Sequence, residues 1–309
     1  MPSRRRDRDE RRGPVVVAVD AGKTKFLVGV FDEALAEVER RRIAVTTAAH
    51  TVTALIAHLS LLFERYDVTA VGLSVFGPLV TDPDQGDYGA IIGSSEPRWS
   101  DVNLPSTLAG EFDTPVWFDF DVNSAVVAEA RHGSPDFAYL SVGTGIGGAF
   151  HSPLSGGAQR PDPPQLGHMY VPREPDDRYP GSCRFHGDCL QGLASGRALF
   201  GRWRVDAHRL PPGHEAWDLE ARYLARACAN LLYSSPHHTV RVGSGISGVP
   251  GLIDRANRYL RDFTNGFPAD RWRDSTGRDV IERAATAPDS SLIGAAVQAV
   301  GKIGRPFNT

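Results

Sequence analysis

Lysine is almost missing from this chain of 309 residues: Lys23, Lys25 and Lys302 are the only three among 34 basic side chains, so arginine carries the positive charge. Sulfur is scarce as well, with 3 cysteines and 2 methionines. An odd cysteine count, with no apolar N-terminal segment that reads as a secretory leader, argues against a disulfide framework. No stretch approaches the roughly 18 consecutive apolar residues that a membrane-crossing helix needs. Nor is there an excess of one charge. The 34 basic and 37 acidic residues leave a net charge of -3, which removes the electrostatic reason to expect nucleic acid or an anionic membrane as partner. The expectation is a cytoplasmic protein that engages neither.

What the chain has in quantity is punctuation, with Gly 32 and Pro 22. Its length fits one large or two medium domains. Arg4, Arg5, Arg6, Arg8, Arg11 and Arg12 are interleaved with acids and lack apolar neighbours, so residues 1–13 read as a disordered tail. A β-branched run at 15–19 and an apolar run at 26–31 flank a short turn and predict a hairpin. A third strand is expected at 42–45, an amphipathic helix at 51–66, and buried strands at 68–76 and 116–120, the last running into a helix at 124–131. The pattern then restarts: strand 138–142, a glycine-rich turn, and another strand from 149. A strand–turn–strand unit occurring twice suggests two related halves. Helical patterns follow at 191–203, 215–233, 250–263 and 289–301, with a strand at 239–242.

Three turns of one kind each follow an apolar strand: Asp20-Ala21-Gly22-Lys23-Thr24-Lys25, Gly143-Thr144-Gly145-Ile146-Gly147-Gly148 and Gly243-Ser244-Gly245-Ile246. Glycines let backbone N–H groups converge on an anion, and Thr or Ser hydroxyls add donors to phosphate oxygens. Asp20 suits Mg2+, which prefers oxygen ligands and bridging phosphates. The second turn contains the letters G-x-G-x-x-G but opens a strand rather than a helix, so a dinucleotide-binding reading fails. Cys183, His186 and Cys189 form C-x-x-H-x-x-C, and His168 lies fifteen positions upstream. Thiolate and imidazole are the ligands zinc prefers, and four close a tetrahedral structural site. That site would staple a polar, proline-rich insertion at 152–190. Cys228, in an apolar helical run, reads as core.

The three turns in order resemble the phosphate-1, phosphate-2 and adenosine motifs of the sugar kinase/Hsp70/actin superfamily. Within it, Asp121-Val122-Asn123, Gly167-His168 and Cys183-Arg184-Phe185-His186-Gly187-Asp188-Cys189-Leu190-Gln191-Gly192-Leu193-Ala194-Ser195-Gly196 resemble the ROK family, and specifically its bacterial fructokinase branch. Ser74-Val75-Phe76-Gly77-Pro78, Tyr88-Gly89 and Trp99-Ser100-Asp101-Val102-Asn103-Leu104 are similar to that branch's N-terminal signatures. The likeness spans about residues 14–300. It implies an α/β protein of two RNase H-like (actin-like ATPase) domains hinged around a cleft that holds the sugar. A small domain would cover 14–122 and a larger one 123–289, with a helix at 290–305 returning to the first, and a homodimer is the implied assembly.

By the same resemblance, Asp121 is the general base, and ATP with Mg2+ is held by Asp20, Gly22, Lys23, Thr24, Lys25, Gly143, Thr144, Gly145, Gly147, Gly243, Ser244 and Gly245. Gly77, Phe120, Asp121, Gln165, His168 and Gln191 would surround the acceptor, and His168, Cys183, His186 and Cys189 would hold structural Zn2+. Asp121 at a strand-to-helix junction is also a natural helix N-cap. The family usually carries glutamate where this chain has Gln165 and Gln191, a polar residue where it has Phe120, and glycine where it has Lys23. Glutamine loses the charge and adds an NH2 donor, so the acceptor is either a hexose such as fructose or a modified sugar or cyclitol. A non-catalytic sugar-binding regulator is the other reading. The family's repressors carry a DNA-binding helix-turn-helix ahead of the first turn, whereas 14 residues precede Val15 here, and Asp20, Asp121 and Gly143-Thr144-Gly145 are retained.

Overall fold

A computed structural model describes residues 13–93, 97–134, 136–153, 162–235, 237–267 and 279–301. The basic tail and residues 154–161 of the insertion lie outside these. The chain divides into two compact units. One runs through Asp121 and takes up the chain again from Ala295; the other is Val122–Gly294.

In the first unit β1 (Val15–Ala21), β2 (Lys25–Asp32), β3 (Glu37–Ala44), β4 (Val68–Val75) and β5 (Val116–Phe120) form one sheet in the order β3-β2-β1-β4-β5. The run Val15 to Val19 is almost wholly buried because β1 is the middle strand, antiparallel to β2 and parallel to β4; such a strand is apolar on both faces. α1 (Ala48–Arg65) buries Leu55, Leu59 and Leu62, spaced as one helix face. α2 (Leu104–Glu111) is capped by Asn103, whose side-chain oxygen accepts from Ser106 N–H at 2.9 Å.

Next come α3 (Asp121–Glu129), β6 (Phe137–Val142), β7 (Ile146–His151), α4 (Leu190–Ala194), α5 (Gly196–Trp203), α6 (Ala216–Ser234), β8 (Val240–Gly243), α7 (Leu252–Thr264), β9 (Ile281–Arg283) and α8 (Ser290–Val300). The second sheet has the order β7-β6-β8-β9. β6 pairs antiparallel with β7 and parallel with β8, the same relations that β1 has to β2 and β4. Trp217, Tyr223, Leu224 and Leu260 fill the core beside this sheet, and Cys228 is fully buried within it. Among the described residues no helix is long and apolar enough to cross a membrane.

The sequence reading needs several corrections. β3 begins at Glu37 rather than 42, because it pairs only with β2 and an edge strand tolerates the charged run Glu37 to Arg42. α3 begins at Asp121, three residues before the expected start, so Asp121 lies in the helix. β7 begins at Ile146, which leaves Gly147 and Gly148 in a strand and only Gly143–Gly145 as turn. The expected helix 191–203 is two helices, broken where Ser195 turns extended and caps α5.

Glu129, fully buried at the end of α3, fastens a distant loop. Its oxygens accept from Ala285 N–H at 2.9 Å and Thr286 N–H at 2.7 Å, and from the Thr286 hydroxyl and Ser290 Oγ. Glu129→Ala orphans these donors, a cost of about 3 kcal/mol. The expected result in a thermal melt is a midpoint lower by roughly 6–12 °C.

Candidate functional site

The first predicted turn is a tight hairpin between β1 and β2. Gly22 N–H donates to the carbonyls of Asp20 and Lys25, at 3.1 Å each, and a Cβ on Gly22 would stand 2.8 Å from the Lys25 carbonyl oxygen. Lys23 Nζ lies 5.6 Å from the centre of the Phe76 ring, a separation at which the π face attracts a cation. Thr24 and Lys25 are exposed. Asp20, Ser74 and Asp119 stand level across β1, β4 and β5. Ser74 Oγ is 3.5 Å from an Asp20 carboxylate oxygen, and the Asp119 carboxylate accepts from Gln298 Nε2 at 2.8 Å. The sequence reading did not single out Asp119. Its signal is a lone acid near the end of an apolar strand, and its row becomes visible only once the register is known.

Asp121 starts α3, half-buried, in the first turn where the helix dipole favours negative charge. Phe120 before it is 5% exposed. Its ring fills the space a side chain on Gly77 would occupy, so these two predicted acceptor residues pack on each other.

In the second unit two predicted turns lie side by side. Adjacent β6 and β8 align Ser141 with Gly243, and a Cβ on Gly143 would stand 2.7 Å from Ser244 Oγ. Gly143 N–H donates to the Gly145 carbonyl at 2.9 Å. Ser244 adopts φ +66°, held by Ser247 Oγ donating to its carbonyl at 2.8 Å. The position of a Cβ on Gly245 is open, with no atom within 4 Å. Gly147 instead packs in β7, where a Cβ would meet Val122 Cγ1 at 2.9 Å. The start of α5 adds a contact absent from the sequence reading: Gly196 N–H donates to the Gly143 carbonyl at 2.7 Å, and Arg197 N–H to the Thr144 carbonyl at 3.4 Å.

The four predicted metal ligands converge. His168, Cys183, His186 and Cys189 offer donor atoms that all lie within 4.8 Å of one another. His168 Nδ1 is 3.7 Å from Cys183 Sγ, 3.5 Å from Cys189 Sγ and 3.2 Å from His186 Nδ1, and Cys183 Sγ is 3.8 Å from His186 Nδ1. A tetrahedral ion with Zn–S ~2.3 Å and Zn–N ~2.05 Å sets nitrogen–sulfur pairs about 3.6 Å apart and nitrogen pairs about 3.3 Å apart. The donor set therefore fits zinc in identity and, over these four pairs, in spacing. Burial, with Cys183 alongside, pushes the Cys189 thiol up to about 11 against backbone hydrogen bonds from Gly192 and Gln191. A bound cation would take it as thiolate.

The loop that presents these ligands is fixed by its backbone. Cys183 and Gly187 exchange N–H···O bonds of 3.1 and 2.9 Å, and Ser182 N–H donates to the Gly192 carbonyl at 2.9 Å. Gly187 has φ +65°, and a side chain on Gly192 would overlap the Gly187 carbonyl. Arg173 bridges to Asp188 Oδ2 at 2.9 Å and to the Tyr179 carbonyl. Asp177 accepts from Arg202, Tyr223 and the Tyr179 amide. Burial raises its carboxyl, but those donors outweigh burial and hold it below its ordinary value.

Gln165 precedes the short 3-10 turn Leu166–His168, which lies so close to β7 that a Cβ on Gly167 would overlap the Ile146 carbonyl. Gln191 reaches the same residue from α4, its Oε1 accepting from Ile146 N–H at 3.0 Å. Gln191 and Gly167 thus both pack on the first residue of β7, directly after the Gly143–Gly145 turn, with Gln165 and His168 on either side of Gly167 in sequence.

The chain is similar to known proteins in sequence and in fold. A fructokinase of Zymomonas mobilis subsp. mobilis is 30% identical over 262 residues, covering 81% of this chain and 85% of that protein. A kanosamine kinase of Amycolatopsis mediterranei is 28% identical over 311 residues, covering 91% and 95%. Among solved structures, a ROK family glucokinase from Streptomyces griseus, in complex with glucose and AMPPNP, superposes with a TM-score of 0.72 at 23% identity, covering 92% of this chain and 99% of that one. The sequence model of the ROK family matches residues 16–301, and the chain belongs to that family.

Proposed function

We propose that this protein transfers the γ-phosphoryl group of ATP to a hydroxyl of a hexose or hexose-like polyol. The observation that carries the reading is the adjacency of the Gly143–Gly145 and Gly243–Gly245 turns at the ends of β6 and β8, with open space at Gly245; paired glycine turns of this kind suit an anion. Relatives named fructokinase and kanosamine kinase support the sugar as substrate class.

Asp121 accepts the proton of the attacking hydroxyl as its oxygen bonds to the γ-phosphorus and the bond to the leaving ADP breaks. In the first unit Lys23 and Thr24 would offer charge and a hydroxyl donor to phosphate oxygens, and in the second unit Thr144 and the backbone of its glycine turn would do the same, while Gly22 and Gly143 shape the two turns. Asp20, steadied by Ser74, is the carboxylate that would hold Mg2+ through its waters, and that ion supplies neutralisation of phosphate charge. His168, Cys183, His186 and Cys189 would hold Zn2+, which would order the loop that leads into α4 and Gln191.

Fructose is the first acceptor to expect from the relatives. A modified sugar is favoured by Gln165 and Gln191, which replace charged acceptors with amides. A coupled ATP-consumption screen across hexoses, amino sugars and cyclitols decides between them. The expected result is turnover of about 1–100 s-1 on one hexose-like acceptor; failure of every acceptor to stimulate ATP consumption would overturn the proposal.

A further inference from the structure

Gln191 has only one way to face Ile146. A backbone N–H is met by the carbonyl end of an amide, so the 3.0 Å bond from Ile146 fixes Oε1 on the protein and leaves Nε2 as the pole available to a ligand. Among the described residues Nε2 makes no hydrogen bond, and the side chain is partly exposed. Gln165 is arranged the opposite way. Its Nε2 lies 3.5 Å from the Pro163 carbonyl, so Oε1 is the available pole. Gln191 stands beside Ile146, and Gln165 precedes the turn whose Gly167 packs on the same residue; between them the two amides offer one acceptor and one donor, neither charged.

We infer that the sugar carries, at the atom facing Gln191, an oxygen that accepts hydrogen bonds without donating: an ether or glycosidic oxygen, or a carbonyl. This rests on the kinase reading above and narrows its acceptor. A carboxylate at position 191 would meet Ile146 N–H with one oxygen and receive a free hydroxyl with the other. Gln191 keeps the first bond and inverts the polarity of the second. A free hydroxyl still accepts from Nε2 but loses the charged partner that would take its proton, and an ammonium finds no counter-charge. Glutamate there would oppose two acceptors across an ether, with no hydrogen between them.

The test measures ATP consumption by the wild-type protein and by Gln191→Glu on glucose, fructose and mannose, on their mono-O-methyl ethers, and on the corresponding keto sugars. The ether and keto arms separate the two kinds of oxygen. At one ring position the substituted sugar should exceed its parent about tenfold in kcat/KM with the wild type, and the order should invert in Gln191→Glu while zinc content and the KM for MgATP stay unchanged. Gln191→Met, which lacks both poles, should abolish the preference without reversing it, and keeps the test readable if the glutamate variant folds poorly. A parent-to-substituted ratio that differs by less than twofold between wild type and both variants overturns the inference alone, as does a wild-type preference for the parent at every position. Absence of sugar-dependent ATP consumption with every sugar tried refutes the kinase reading and this inference with it.

Discussion

Asp121→Asn should lower kcat on the best acceptor by about 10²–10⁴-fold, the usual contribution of a positioned general base, while the KM values for sugar and ATP change only a few-fold. Asparagine matches aspartate in size and retains a hydrogen-bonding oxygen at the start of α3, so a packing or capping role would survive the change. Proton acceptance would not. A melt within about 2 °C of wild type would assign the loss to chemistry rather than to folding. Turnover within threefold of wild type would remove Asp121 from the base role and reduce it to a helix-terminal residue.

Cys189→Ser should cost the protein its metal. Elemental analysis of the wild type should find about one zinc per chain, the stoichiometry of a closed four-ligand site, and the variant should retain less than about a tenth of that. Because the cation would balance a buried thiolate pair and tie His168 to the Cys183–Cys189 loop, its loss should lower the thermal midpoint by about 10 °C. Activity should fall too, since Leu193 N–H donates to the Cys189 carbonyl at 3.0 Å and Gln191 lies between those two residues. Cys228→Ala is the control. That thiol sits wholly inside the α6 core, where burial raises it, so its replacement should leave zinc content unchanged. Zinc at wild-type level in Cys189→Ser would refute the assignment of ligands.

The features legible in the sequence are those whose chemistry is local or whose spacing is diagnostic. C-x-x-H-x-x-C marks a candidate metal loop within seven residues, and the five-residue apolar run of β1, followed by a turn and a second apolar run, marks a hairpin strand. The features that escaped the reading depend on partners far away in sequence. Glu129 looks like any helix-terminal acid until Ala285 and Thr286 arrive from more than 150 residues downstream. Asp119 acquires its neighbours Asp20 and Ser74 only through the register of three parallel strands. β9 is three residues long, too short for any periodicity, and β3 hides its strand character behind six consecutive residues that are mostly charged. The replacement of glutamate by Gln191 was legible, but the direction of its amide was not. That direction follows from one backbone N–H on Ile146.

The scarcity of lysine has a practical consequence at the first turn. An amine-reactive reagent has only Lys23, Lys25, Lys302 and the N-terminal amine to attack in the whole chain, and two of those four sit within one β-hairpin turn beside Asp20. Arginine, which carries the rest of the positive charge, is inert to such reagents. The turn is therefore a near-unique chemical handle, placed by composition alone, at which a reporter group on Lys23 or Lys25 would test the proposed nucleotide site without any cysteine being engineered.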